Sequence, residues 1–367
     1  MNIEQLFFEL IRVAIGTQNT LSRPPSRNEW TELYAVAKKQ SLVGICFSAV
    51  QKLTQPPEPR TQNLDKVQYL TWMGMAVKIQ QRNEVVNLQC KEIYQRLIND
   101  GIDSCVLKGQ GVAALYGALS NLRQSGDIDI FTRLNDVQSI DYAKKFEKQS
   151  LDFSYKHVHL NVLEDTEVDM HYRLGLNRNL IANRKLQKWC ERLKDSSFTF
   201  NETLGFSMLS RPDNVVFTLF HIYEHLMAYG VGLRQVIDMY FVLNDIGDDK
   251  ECREQVVRLI KNLGLIKFTS ALMWVLSEVL YLPESLLLCP IDKKEGQFLL
   301  NEIMQAGNFG HHDSRNNISV KSGMAGAAER IIHYLRLVRH YPVEVCWIPI
   351  GTLYLKYWKW RKVNMMP

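Results

Sequence analysis

The segment Ser125-Gly126-Asp127-Ile128-Asp129-Ile130-Phe131 constrains the fold of this chain more than any other. Apolar and acidic residues alternate there, and residues i and i+2 of a β-strand project to the same face. A strand over 127–131 therefore predicts Asp127 and Asp129 side by side, with Ile128 and Ile130 turned into a core. Two neighbouring carboxylates repel each other and are costly to desolvate unless a cation lies between them. A hard divalent ion such as Mg²⁺, which takes carboxylate oxygens together with substrate phosphates, meets that need.

Composition narrows the setting. The chain has 367 residues, enough for two or three domains, and its net charge of +5 suits a protein that handles anionic phosphates without marking it as a nucleic-acid binder. Its seven cysteines form no CxxC pair, which predicts free thiols in a reducing, cytoplasmic setting rather than a disulfide framework or a structural zinc site. Glu4 and Glu9 interrupt the first apolar run, unlike the core of a secretory leader. No uncharged run reaches the roughly 18 residues that span a bilayer; one apolar candidate, 345–355, contains Pro349 and Gly351.

Periodicity divides the chain into helical, mixed and again helical parts, with expected domains at 1–99, 100–205 and 206–367. Helices are predicted over 4–14, 30–38, 41–53 and, without a proline, 64–99. Residues 103–107 then read as a strand, Lys108-Gly109 as a turn, and 110–116 as a helix. After the acidic strand comes a helix from 135 or 136 to 148. Alternation over 157–163 and 167–172 around Glu164-Asp165-Thr166 is a hairpin pattern. Later helices fit 215–227, 233–243, 251–263, 267–280, 293–305 and 324–340, with 310–323 as a loop.

Four features in order carry chemistry. A glycine between strand and helix, Gly109, lets backbone N–H groups approach a phosphate, and Lys108 adds positive charge; the plain alternative for Lys108 is a solvated loop residue. Arg123 offers a bidentate grip on a phosphate, or else a salt bridge that holds the turn before Ser125 and Gly126. The Asp127/Asp129 pair follows. Asp169 is a third carboxylate on a later strand, sharing a face with Glu167, its rival for that role, and with His171. Three carboxylates are enough to hold two metal ions, and a third Asp touching one of them is placed to take a proton.

Leu107-Lys108-Gly109, Leu122-Arg123-Gln124-Ser125-Gly126-Asp127-Ile128-Asp129 and Val168-Asp169-Met170-His171-Tyr172 resemble the bacterial uncharacterised nucleotidyltransferase family, within the superfamily typified by DNA polymerase β. His221 and Leu233-Arg234-Gln235-Val236-Ile237-Asp238 resemble that family's helical segment after the core. The resemblance implies an α+β fold, a polymerase β-like core of a small mixed sheet with helices, flanked by N- and C-terminal helical regions. It implies Mg²⁺- or Mn²⁺-dependent transfer of an NMP from an NTP, with Asp127, Asp129 and Asp169 as metal ligands. Lys108, Gly109, Arg123, Ser125 and Gly126 would serve the nucleotide phosphates, and His171, His221, Arg234 and Asp238 the cleft or the acceptor. The acceptor is open: a small molecule, a sugar phosphate, a protein or an RNA. The chain departs from the superfamily's usual Gly-Ser or Gly-Gly turn, having Lys108-Gly109-Gln110, and its spacing from Gly109 to Asp127 is long.

Other readings stay beside this one. The same fold serves a non-catalytic nucleotide- or partner-binding module, or a toxin-like enzyme that modifies RNA. His221-Ile222-Tyr223-Glu224-His225 matches H-x-x-E-H, a zinc-hydrolase pattern, on an expected helix where His221 also faces the cleft and can pair with Arg234 or Asp238. His311-His312-Asp313 reads as a solvated loop or a flap. The aromatic and basic residues of 354–362 suit either a terminal helix docked through its rings or contact with a membrane surface or nucleic acid.

Overall fold

The computed structural model describes residues 2–55, 60–146, 151–196, 198–310, 313, 315 and 323–365. Helices α1 (Ile3–Ile15), α2 (Arg27–Lys39) and α3 (Val43–Leu53) open the chain, and α4 (Lys66–Asn99) runs unbroken for 34 residues. Its start is set by a reciprocal pair in which the Asp65 carboxylate accepts from Gln68 N–H and the Gln68 side chain accepts from Asp65 N–H. Next come β1 (Ser104–Val106), α5 (Gln110–Ala113) and a 3₁₀ segment, Ala114–Leu122. The helix expected over 110–116 is thus one turn, because Gly117 takes φ +56° and kinks the segment after it. β2 (Ile128–Thr132), α6 (Asp136–Ala143), β3 (His157–His159) and β4 (Val168–His171) complete the mixed part.

The sheet order is β1-β2-β4-β3. β1 runs antiparallel to β2, β2 parallel to β4, and β4 antiparallel to β3, as the hairpin pattern predicts. One sheet face is mainly apolar: Val106, Ile128, Ile130, Val158, Val168 and Met170 pack on Val86, Ile93 and Leu97 of α4 and Ile140 of α6, with Ser104 and Thr132 paired on the same face at its end. The opposite face carries Asp129, His157, His159, Asp169 and His171, beside the apolar Cys105 and Phe131.

A helix and a hairpin escaped the sequence reading. α7 (Leu180–Asp195) buries Leu186, Trp189, Cys190 and Leu193, a helix-period set, and Asn179 caps it. β5 (Thr199–Asn201) and β6 (Phe206–Met208) form a separate hairpin whose strands are too short to show alternation. The remaining helices are α8 (Arg211–Ala228), α9 (Leu233–Ile246), α10 (Lys250–Leu263), α11 (Ile266–Leu280), α12 (Lys293–Ala306), α13 (Gly323–Leu337) and α14 (Pro342–Met365). Trp358 of α14 packs edge-on against Tyr155 and Phe153, and Lys362 bonds Asp136 at 2.9 Å, while Tyr357 and Trp360 stay exposed. His311 and His312 lie outside the described residues. No described helix is long and apolar enough to cross a membrane.

α1–α3 share one apolar core with α8, α9 and α11. The buried Arg12 of α1 ties these parts together, donating to Val279 O at 2.8 Å and Glu278 O at 2.6 Å near the end of α11. Cations favour that end of a helix. α3 also supports the loop before β2. A Cβ at Gly44 would lie 2.3 Å from the Leu122 carbonyl oxygen, a backbone atom that cannot rotate away. Gly44→Ala is expected to cost roughly 1–3 kcal/mol of stability, the range of overpacked interiors. Urea unfolding checks this as a lower midpoint at unchanged slope.

Candidate active site

The polar face of the sheet gathers three acids. Asp127 precedes β2 and keeps 40 % of its side chain exposed, whereas Asp129 is buried. β4 lies parallel beside β2 with Asp169 opposite Asp129 in register. Oxygens of Asp127, Asp129 and Asp169 all fall within 4.8 Å of one another. Glu167, the sequence rival of Asp169, is exposed outside this trio, and its carbonyl accepts from Ile128 N–H.

Lys108 leaves the end of β1 and places its ammonium 3.0 Å from Asp129 Oδ2 and 3.9 Å from Asp127 Oδ2. The lysine read as a phosphate contact therefore rests on the acids. Burial alone would push its ammonium down, but the Asp129 and Asp127 charges outweigh that and hold it above its ordinary value. Burial likewise opposes ionisation of Asp129, but Lys108 and His171 win and hold its carboxyl low. Asp169 goes the other way. Burial raises it first, and the Asp129 and Asp127 charges add to that against an opposing pull from His171. The trio is thus short of positive charge on the Asp169 side, and its all-oxygen donor set fits Mg²⁺ or Mn²⁺.

Three histidines flank the acids. His171 Nε2 is 2.8 Å from Asp129 Oδ1, and its Nδ1 is 3.2 Å from the Arg173 carbonyl. His157 Nδ1 and His159 Nδ1 each lie 3.4 Å from an Asp169 oxygen. Sequence reasoning singled out His171 alone. The His-Val-His alternation of 157–159 was legible, but only the β3–β4 register shows where it lands.

A small cleft opens beside the acids, lined by Lys108, Gly109, Gly126, His221 and Arg234 among others. Gly109 turns there at φ +52°, a conformation that suits glycine. Ser125, just before Gly126 in sequence, is half-buried. Arg234 donates from Nη1 to Gln124 O at 2.8 Å; burial and then the neighbouring Arg123 charge lower its guanidinium to about 10. Arg123 does not reach out as a phosphate grip. Its Nε and Nη2 are both committed to Asp238 at 2.7 Å, and the Tyr116 hydroxyl donates to the same carboxylate at 2.6 Å. Asp238 is correspondingly an anchor and not a partner of His221. Asn83 of α4 donates to the carbonyls of Asn121 and Arg123 and fixes the same loop from the other side.

The H-x-x-E-H helix does not assemble a zinc site. His221 and His225 do stack edge-on at 4.3 Å, but Glu224 bonds Lys156 Nζ at 3.1 Å and accepts from Leu176 N–H. Among the described residues, neither group of potential metal ligands includes any of the three. His225 lines a separate cavity of about 210 Å³ with Tyr223, Tyr229 and Tyr334.

The parallel β2–β4 pair with its acids, the glycine turn after β1 and the helices behind them define a nucleotidyltransferase-like arrangement. The family described as uncharacterised nucleotidyltransferases matches residues 26–281, which contain every residue of this site, and the chain belongs to that family. Among solved structures, it is similar to an antigenic nucleotidyltransferase-like protein from Paracoccidioides brasiliensis. That likeness has 12% identity, spans 53% of this chain and 92% of that one, and has a TM-score of 0.31. No curated protein matches.

Proposed function

We propose that this protein moves an NMP from an NTP to an acceptor, releasing pyrophosphate. The observation that carries the reading is the convergence of Asp127, Asp129 and Asp169 from two adjacent strands. These three residues would hold Mg²⁺ or Mn²⁺, which when bound neutralises the triphosphate and makes the acceptor hydroxyl more acidic. The acceptor oxygen forms a bond to the α-phosphorus as the bond from that phosphorus to the β-bridging oxygen breaks, and pyrophosphate leaves with that electron pair. Asp169, whose carboxyl is raised by burial, accepts the hydroxyl proton. Lys108 and Arg234 supply positive charge to the phosphates from the cleft, and the Gly109 turn brings backbone close to them. Arg123 acts through Asp238 and positions the loop that ends in Asp127. The preferred NTP and the acceptor, whether small molecule, sugar phosphate, protein or RNA, are decided by assay.

The test is incubation with each α-labelled NTP and Mg²⁺ in the presence of cell extract fractions. The expected result is label transferred to an acceptor with matching pyrophosphate. No transfer and no pyrophosphate from any NTP would refute the reading.

A nucleotide-binding module without transfer is favoured by one observation: Lys108 already neutralises the Asp127/Asp129 pair. Lys108→Met separates the two. If the lysine competes with metal and then serves phosphate, divalent-ion affinity rises about tenfold, roughly 1.4 kcal/mol, while turnover falls by at least about tenfold. Calorimetric Mn²⁺ titration and the transfer assay measure the two effects. Higher metal affinity with nucleotide binding intact and no turnover in either protein supports the module.

A further inference from the structure

We propose a second cation site on His157, Asp169 and His171, adapted to a first-row transition ion such as Zn²⁺, Co²⁺ or Fe²⁺. It goes beyond nucleotidyl transfer and does not depend on it, since a chain that bound no nucleotide could still carry it.

β3 and β4 bring the residues together. In their antiparallel register His157 stands opposite His171 and His159 opposite Asp169. One ligand atom from each of His157, Asp169 and His171 lies within 4.8 Å of the others. His157 Nδ1 is buried and has no hydrogen-bond partner among the described residues. A buried nitrogen left in that state costs stability, so it calls for something to bind. It sits 3.4 Å from Asp169 Oδ2. Two ligands about 2.0–2.1 Å from a tetrahedral ion are roughly 3.3 Å apart. This pair already has the separation of two ligands on one ion.

His171 points the same way. The Arg173 carbonyl 3.2 Å from its Nδ1 accepts only a proton-bearing nitrogen. Its Nε2 is turned toward the acids, 2.8 Å from Asp129 Oδ1. A ring that donates one N–H to a backbone carbonyl and turns the other nitrogen to a metal is the usual form of a histidine ligand.

The donor set decides the ion. Two imidazoles and one carboxylate suit borderline transition ions, while Mg²⁺ keeps to oxygen. Asp169 belongs both to this set and to the acidic trio, so the two sites adjoin through one shared carboxylate.

The experiment uses the full chain, stripped of metal and titrated with Co²⁺ while its visible absorption is followed, with Zn²⁺ stoichiometry measured by elemental analysis. One equivalent is expected to bind with a nitrogen-ligated Co²⁺ spectrum. His157→Gln is expected to weaken Co²⁺ binding by at least about tenfold and to remove the band, while Glu167→Gln, exposed and outside both groups of ligands, leaves both unchanged. His157→Cys is expected to restore binding with a new thiolate-to-cobalt band in the near ultraviolet, which also decides the matter should His157→Gln fold poorly. Co²⁺ binding that ignores His157 and vanishes with Asp127→Asn would overturn the proposal, as would no Co²⁺ binding by the wild type. No nucleotide enters the assay, so its failure and that of the transfer reading are distinguishable.

Discussion

Asp127→Asn is expected to cut nucleotidyl transfer by about a thousandfold and to leave the unfolding temperature where it was. The two halves of that expectation have separate causes. The side chain of Asp127 is 40 % exposed, and asparagine has its shape, so packing is not disturbed. Substitutions at such positions change stability by about 0.5 kcal/mol or less. The charge is another matter. If the proposed function holds, removing one of three carboxylates that converge within 4.8 Å takes away a metal ligand and part of the field that would hold the ion. Several kcal/mol of transition-state stabilisation come from such an ion, and about 4 kcal/mol corresponds to roughly a thousandfold in rate. Labelled-NTP turnover in Mg²⁺ alongside a thermal melt makes the measurement. Wild-type turnover in the variant would sink the mechanism.

Asp238→Ala is expected to lower stability by about 3–5 kcal/mol, the cost of breaking a buried ion pair from one side. Asp238 is the common partner of Arg123 and Tyr116, all three buried, and Arg234 is buried beside them. Without the carboxylate, two guanidinium groups would repel each other in a place where water cannot screen them. The damage also reaches the chemistry, because Arg123 leads directly into the turn that presents Asp127. The double variant Arg123→Met/Asp238→Leu is expected to recover much of the loss, since an apolar pair leaves fewer uncompensated charges there. Urea denaturation of the three proteins checks the ordering. An Asp238→Ala variant within about 1 kcal/mol of wild type would mean that the pair carries no such role.

Much of this architecture could be read from local pattern. α4 announces itself as a proline-free stretch with a capping box, and the acidic strand by its period of two. Asp127, Asp129 and Asp169 were legible because each alternates with apolar residues that need a core. What was not legible depends on contacts distant in sequence. Arg123 looks the same in sequence whether it meets a phosphate or Asp238, which lies 115 residues away. Lys108 is a loop lysine until the sheet closes and puts Asp129 within 3.0 Å. His157 and His159 gained meaning only from the register of β3 on β4. α7 was missed although its buried residues keep helical spacing and Gly175, Asn177 and Asn179 precede it.

The long helix α4 has a consequence of its own. Trp72, Ala76 and Ile79 on its first half belong to the interior shared by the early and late helices, and Val86, Ile93 and Leu97 on its second half belong to the interior beneath the sheet. With no proline or kink between them, it acts as a spar running through both compartments, and Asn83 at its midpoint grips the loop that carries Arg123. Any shift of the helical body would therefore reach the loop before the acids through one continuous helix.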